Sequence, residues 1–380
     1  MKNAIVLGMA FGDEGKGVTT QWLCKQSLKY GRKPIVVRFN GGAQAAHTIH
    51  LNGKEHICST YGSGVLLGVP TFLSKDFFFD PICAYNEYLT LADLNPTLFV
   101  HPKCRVVTPY DVYAGICNEK VRKDGSCGKG IFQTFNRYVE QPFQPVLSRL
   151  DSEVEAQDYL ESVRSHYGLP YDSEAEEAFI ATLQKLPFTL MSKAELNEQE
   201  AFSEMIFEGA QGLLLDMDFG FYPNVTPSHT GLDNLNEETL HGADIYLVTR
   251  TYTTRHGNGY EPQHVLHWDL SGKHETNVEN EFQGKFKTGI LDFDLIQRAV
   301  DRHHLDVWQR KHNLQYHLMV THGDLALNNG FLEYLWHGES HWEEIHEVSE
   351  LKRLFIKVLG NFGIRFQSIR VNASVESDFQ

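Results

Sequence analysis

The chain has 380 residues, of which 42% are hydrophobic and 22% charged. A chain of that size and balance buries a core without disulfide or metal staples. Its net charge of −15 repels a phosphodiester backbone and argues against general nucleic-acid binding, while leaving room for a local basic pocket that takes a small phosphate ligand. No run of 18 apolar residues occurs, so no membrane-spanning helix is expected, and Met1 to Gly8 is too short for a leader peptide. The six cysteines, at 24, 58, 83, 104, 117 and 127, form no Cys-x-x-Cys pair. They are expected to be reduced thiols, and the compartment cytoplasmic.

Ala4 to Leu7 is a short apolar run that predicts a buried strand. The loop Gly8 to Gly17 follows, then a helix over Val18–Tyr30 that Gly31 ends. Lys33 to Phe39 predicts the next strand. This strand, helix, strand opening predicts an α/β fold, with a mostly parallel central sheet flanked by helices, in the manner of P-loop GTP-binding proteins with helical insertions. A second loop, Asn40 to Thr48, leaves the second strand. Ligands bind at the carboxyl ends of parallel strands, so both loops are candidates for one site. A third glycine-rich turn spans Gly125 to Ile131. The acidic Glu-, Ala- and Leu-rich stretch that follows predicts a helical subdomain at about 110–205 within a single domain covering 1–380. Later strands are expected near Phe207, over Ile245–Val248 and over Tyr316–Val320, each running into a polar loop.

Gly12-Asp13-Glu14-Gly15-Lys16-Gly17 has the make-up of a phosphate loop. Glycines let backbone amides converge on phosphate oxygens, the helix start adds favourable dipole, and Lys16 adds a point charge. Gly17 stands where a P-loop carries the hydroxyl that holds Mg²⁺, so Asp13 is the candidate metal ligand or proton acceptor. His47, near the end of the second loop, is a candidate for stabilising charge on a transferring phosphoryl group. Gln211, between two glycines at a strand end, offers two donors and an acceptor. Asp324 ends a strand in Thr-His-Gly-Asp and is able to accept from both N–H edges of a guanine base. Histidines 337, 341 and 346 lie among glutamates and are expected to be solvated, as is the pair His303-His304.

Together these motifs resemble the adenylosuccinate synthetase family, which joins a 6-oxopurine nucleotide to aspartate at the expense of GTP. The likeness runs in order through Gly12 to Gly17, Val37-Arg38-Phe39 with Gly41-Gly42 and Ala45, His47 and Thr48, and Tyr61-Gly62-Ser63-Gly64. It continues through Ser126 to Ile131, Glu208 to Gly212 with Leu214-Leu215-Asp216 and Thr226, and Tyr252-Thr253-Thr254-Arg255 with Gly257 and Gly259. The resemblance implies a ligase acting in two steps. Asp13 would accept the purine N1 proton while the γ-phosphoryl of GTP moves to O6, with His47 stabilising its charge and Gln211 orienting Asp13 or the base. The aspartate amine would then displace phosphate at C6. Gly12, Glu14, Gly15, Lys16, Gly17 and Asp324 would bind GTP, and Asp13 with a backbone carbonyl near Ala46 would hold Mg²⁺. Ser126, Cys127 and Thr226 would hold the nucleotide's 5′-phosphate, with Gln44 and Arg255 also facing substrate. A homodimer is implied as well.

The sequence also departs from the family. Its second loop reads Gly-Gly-Asn-Asn-Ala-Gly-His-Thr in most members, and here both asparagines are replaced, by Ala43 and Gln44. The arginine-rich aspartate loop has Lys285 and Lys287 as its nearest counterpart, and lysine loses bidentate carboxylate recognition. The arginine that dimers lend across the interface has no aligned match, Arg137 being nearby but out of register. IMP with GTP is the first expectation. A phage branch that aminates dGMP is the alternative, since Ala43 makes room for a guanine 2-amino group, and ATP could replace GTP. A nucleotide-binding regulator without turnover is the third reading.

Overall fold

The computed structural model describes residues 2–119, 127–140, 147, 150, 152–199, 201–262, 264–268, 270, 284–373 and 378–380. The expected opening is present. β1 (Lys2–Gly8) leads through the first loop into α1 (Lys16–Lys29) and on to β2 (Pro34–Arg38). Helix α1 starts two residues earlier than its apolar pattern suggests, because Gly15 takes a left-handed conformation (φ 98°) and turns the chain directly into the helix. The hairpin β3 (His47–Leu51) and β4 (Lys54–Cys58) follows, so His47 opens a strand rather than closing a loop.

The chain then lays down β5 (Thr71–Leu73), β6 (Phe78–Phe79), α2 (Pro81–Leu91), β7 (Leu98–Val100) and β8 (Arg105–Val106). Next come α3 (Pro109–Cys117), α4 (Ile131–Glu140), α5 (Glu153–Tyr167), α6 (Ser173–Lys185), β9 (Thr189–Leu190) and α7 (Lys193–Glu198). β10 (Glu204–Gly212), α8 (Glu237–Leu240), β11 (Asp244–Arg250) and the ribbon β12 (Thr253–His256) with β13 (Phe286–Gly289) complete the site region. The remainder is β14 (Leu291–Asp292), α9 (Phe293–Arg302), α10 (Leu305–His312), β15 (Gln315–Thr321), α11 (Gly323–Asn329), the hairpin β16 (Phe331–Trp336) and β17 (Glu339–Glu344), α12 (Val348–Leu359) and β18 (Phe366–Val371).

Nine strands form one sheet in the order β18-β15-β11-β1-β10-β2-β5-β7-β9. Every pairing in it is parallel. The strand alternation sorts the core. Ile5, Leu7, Val37, Phe207 and Leu318 pack on one face, whereas Ala4, Val6, Val36, Ile206 and Met319 meet Leu23 and Cys24 of α1 on the other. Tyr110, Tyr159, Phe179 and Leu183 of the inserted helices close a separate apolar cluster with Phe77 and Phe79.

One histidine expectation needs correction. His337 and His346 are exposed as expected, and His341, on β17, is partly buried where it stacks on Tyr334 at 5.1 Å. His303 is buried, not solvated: its Nε2 donates to the Leu213 carbonyl at 2.8 Å and its ring packs on Phe219. His304 is exposed, as expected.

Candidate active site

Three neighbouring strands, β1, β10 and β2, deliver the first loop, Gln211 and the second loop to one edge of the sheet. The loops are close enough to exclude side chains between them. A side-chain carbon built on Gly17 would lie 2.8 Å from His47 Cβ, and one on Gly212 would lie 2.3 Å from the Ala10 carbonyl oxygen. Asp13 and Gln211 both hold left-handed backbone, φ 62° and 64°. That conformation is uncommon outside glycine and is retained where surrounding contacts over-determine it.

Glu14 and Lys16 are both buried and form an ion pair of 2.9 Å. The other Glu14 oxygen accepts from the amides of Ala10 at 2.9 Å and Gly12 at 2.8 Å. The donors expected to cradle phosphate are therefore gathered on an internal carboxylate. Thr321, at the end of β15, donates its hydroxyl to the Glu14 carbonyl at 2.6 Å. This ties the Thr321–Asp324 turn, and with it Asp324 in the first turn of α11, to the first loop. Arg250 at the end of β11 donates Nε to the Asp13 carbonyl and Nη1 to the Tyr252 hydroxyl.

His47 Nδ1 lies 2.7 Å from Glu208 Oε1, with both side chains buried. A carboxylate only accepts, so Nδ1 carries the proton and Nε2 is left for chemistry. Burial pushes the His47 pKa below the ordinary imidazole value, aided by Arg38 and Lys16, and the opposing pull of Glu208 does not overcome it. Burial alone would raise Glu208, but His47, Arg38 and Ser63 hold it below the usual carboxylate range. The second Glu208 oxygen accepts the Ser63 amide at 3.0 Å, and the Ser63 hydroxyl bonds Oε1. Arg38 is fully buried and donates to the carbonyls of Tyr61 at 3.2 Å and Ala45 at 3.1 Å, fastening the second loop. Asn40 does the same from the other side, accepting the Ala210 amide at 2.7 Å.

A sequence model of the adenylosuccinate synthetase family matches residues 5–307. The chain belongs to the adenylosuccinate synthetase family. It is 30% identical to adenylosuccinate synthetase of Marinomonas sp. over 292 residues, covering 70% of this chain and 66% of that one. With the Psychrobacter arcticus adenylosuccinate synthetase the identity is 31% over 327 residues, 79% and 74%. The chain thus spans about two thirds to three quarters of the length of these curated relatives. In fold it resembles the fully ligated adenylosuccinate synthetase of Plasmodium falciparum, with a TM-score of 0.73, 18% identity and 98% of both chains covered. It also resembles cyanophage S-2L succinoaminodeoxyadenylate synthetase, solved with dGMP and dATP, with a TM-score of 0.65, 14% identity and 99% and 93% covered.

Within this family member the remaining candidate residues are dispersed. Gln44 is partly buried, and both polar atoms of its amide are buried without a partner. Thr226 is buried in the loop after β10, its amide donating to the Leu215 carbonyl at 2.8 Å. Ser126 lies outside the described residues. Cys127 belongs to a segment packed on α3, since a side-chain carbon on Gly130 would meet the Asp111–Val112 backbone within 2.9 Å. Burial pushes the Cys127 thiol up, which slows the alkylation its partial exposure would allow. Lys285 is exposed, and Lys287 is spent on an ion pair with Glu261. Arg137 is fully buried and holds Asp111 through two bonds of 2.8 Å, so it is an internal strut. Sequence reasoning assigned no role to Glu208, Ser63, Arg38, Arg250 or Thr321. The signal for Arg38 and Glu208 was available: a charge inside an otherwise apolar strand must be paired when buried.

Proposed function

We propose that this protein is a GTP-dependent ligase that joins aspartate to C6 of a purine 5′-monophosphate, with IMP as the nucleotide, through a 6-phosphoryl intermediate. The observation that carries the reading is the convergence of the Asp13 loop, the His47–Glu208 pair and Gln211 on adjacent parallel strand ends. Oxygen at C6 is a poor leaving group, and phosphorylation makes it a good one. In the first step Asp13 accepts the N1 proton, Gln211 orients the base, and O6 takes the γ-phosphoryl group. Charge gathers on the phosphoryl oxygens, where a buried histidine backed by a carboxylate gains a proton most favourably. Lys16 and the loop amides bind phosphate by exchanging Glu14 for it, Gly12, Gly15 and Gly17 allow the close approach, and Asp324 reads the guanine. Thr226, Cys127 and Ser126 face the 5′-phosphate, and Gln44 faces the purine with a free amide.

The carboxylate of Asp13 and the carbonyl of Ala46 are hard oxygen donors of the kind Mg²⁺ takes alongside phosphate oxygens, so the residues suit that ion. When bound, Mg²⁺ neutralises charge on the phosphates during transfer. A homodimer in the cytoplasm belongs to the same proposal. Among the described residues no helix is long and apolar enough to cross a membrane.

A second reading, with dGMP or GMP in place of IMP, is favoured by one observation: Ala43 is small and buried in the purine loop beside the unpartnered Gln44 amide. Phosphate release separates the readings when IMP, GMP, dGMP and XMP are crossed with GTP or ATP, with and without aspartate. Turnover with IMP, GTP and aspartate supports the first, and turnover confined to dGMP or GMP supports the second. A blank panel from protein that binds nucleotide would leave a regulator and overturn the ligase.

A further inference from the structure

A second cluster of polar side chains lies between β4 and α2. His56 and Cys58 are two residues apart on β4 and so share one face of the hairpin, and Glu87 of α2 meets them there. All three side chains are buried. His56 Nε2 lies 3.2 Å from Glu87 Oε1. The other Glu87 oxygen accepts the amides of Ser59 at 3.1 Å, Thr60 at 2.6 Å and Tyr61 at 3.4 Å, and the Ser59 hydroxyl at 2.8 Å. Those four donors orient the carboxylate and leave Oε1 turned towards His56. Cys58 Sγ makes only a long contact of 3.8 Å with the Gly62 carbonyl. Thr60 and Tyr61 bury hydroxyls that have no hydrogen-bond partner, and buried hydroxyls of that kind call for an ion or a water.

The nitrogen, sulfur and oxygen of this trio lie within 4.8 Å of one another. Tetrahedral Zn²⁺ takes imidazole, thiolate and carboxylate at about 2.0–2.3 Å, which sets its ligand atoms roughly 3.3–3.7 Å apart. The His56–Glu87 spacing is already close to that span, and the sulfur has at most about 1 Å to travel. Charge and softness decide the ion. A thiolate and a carboxylate carry two negative charges, so a divalent cation leaves the buried centre neutral, where any uncompensated charge is costly. Sulfur with imidazole selects the zinc class over Mg²⁺ or Ca²⁺. We infer that His56 Nε2, Cys58 Sγ and Glu87 Oε1 form a zinc site that fastens β4 to α2, with a water in the fourth position. On binding, the Cys58 thiol proton leaves to solvent, the imidazole proton sits on Nδ1, and Glu87 Oε1 exchanges His56 for the metal. Cys58 is the cross-strand partner of His47, so the ion steadies the hairpin that carries His47. The site stands whatever reaction the protein catalyses.

The test is a Co²⁺ titration of the full chain after treatment with a chelator, followed by displacement with Zn²⁺. Cobalt bound to a thiolate absorbs by sulfur-to-metal charge transfer, a band that the all-oxygen Mg²⁺ ligands Asp13 and Ala46 cannot give. Wild type is expected to take up one equivalent with that band and to lose the band to Zn²⁺. Cys58→Ser is expected to abolish the band, and His56→Gln and Glu87→Gln to weaken Co²⁺ binding at least about 10-fold. Cys117→Ser, which alters an exposed thiol, is expected to match wild type. Zn²⁺ is expected to raise the Tm of wild type and not that of Cys58→Ser. Absence of the band from wild type at saturating Co²⁺ overturns the inference. So does a band that survives Cys58→Ser or disappears in Cys117→Ser. If Cys58→Ser does not fold, His56→Gln and Glu87→Gln decide, because both keep the thiol and nearly the same volume, and unaltered Co²⁺ affinity in the two overturns the site.

Discussion

His47 and Glu208 share one proton across 2.7 Å, and both are buried, so the tautomer of the ring is set by the carboxylate. Glu208→Gln keeps the volume and reverses the logic. A glutamine amide donates to Nδ1, moves the ring proton to Nε2 and removes the charge that stabilises the imidazolium. The expected result is a fall in kcat of about 100-fold with little change in nucleotide KM, read from steady-state phosphate release. Full activity in Glu208→Gln would remove the pair from the mechanism. Glu14 makes a different prediction, because its carboxylate already occupies Lys16 and two loop amides. Glu14→Gln leaves the Lys16 charge buried and unpaired, which costs about 3 kcal/mol of stability. Urea titration without ligand checks that loss. Excess GDP is expected to recover a larger share of stability in the variant than in wild type, because phosphate then supplies the missing counter-charge.

At the scale of elements, the inserted helices hang on one buried ion pair. Asp111 closes a capping box with Thr108 at the start of α3, and its two oxygens take Arg137 of α4 and the Tyr167 hydroxyl of α5. Arg137 also donates to Tyr159 and the Val106 carbonyl. Asp111→Asn strands a fully buried guanidinium, so a loss of about 3–5 kcal/mol is expected. Hydrogen exchange is expected to localise the loosening to residues 109–185, with β1 and α1 still protected. Uniform loosening of the whole chain would show instead that the helices and the sheet unfold as one. The same residues mark what the sequence made legible. β1, α1 and β2 read from apolar runs bounded by glycine, because those signals are local. Arg137 reads as a stray interface cation until the fold brings Asp111 to it. Likewise the phosphate loop, His47 and Gln211 were readable as motifs, whereas the Glu208 partnership joins residues 161 apart. The hairpin that carries His47 was missed because its pattern is interrupted by polar residues on both faces.

Taken as a whole, the molecule carries a large negative charge, yet its response to mild acid is set by buried histidines. His303 is the clearest. Its Nε2–H is committed to the Leu213 carbonyl, its Nδ1 is buried without a partner, and burial pushes its pKa below the ordinary value. Protonation would put charge on Nδ1, beneath Gly231 and against Phe219. The unfolded chain takes that proton near the ordinary imidazole value of ~6.5. Below it the unfolded state therefore binds more protons than the folded one, and stability falls as pH drops from ~6.5 towards the lower folded value, with no contribution above it. His47 acts in the same direction. Each such group contributes at most about 1.4 kcal/mol per pH unit. Urea titrations between pH 7.5 and 5.5 are expected to show declining stability in wild type and a shallower decline in His303→Gln, whose amide can still donate to Leu213. Because Leu213 follows the Gln211-Gly212 end of β10, the same protonation is expected to loosen the Gln211 loop before global unfolding. Nucleotide affinity that weakens below pH 6.5 in wild type, and less in His303→Gln, checks that coupling, and identical pH profiles for the two proteins would refute it.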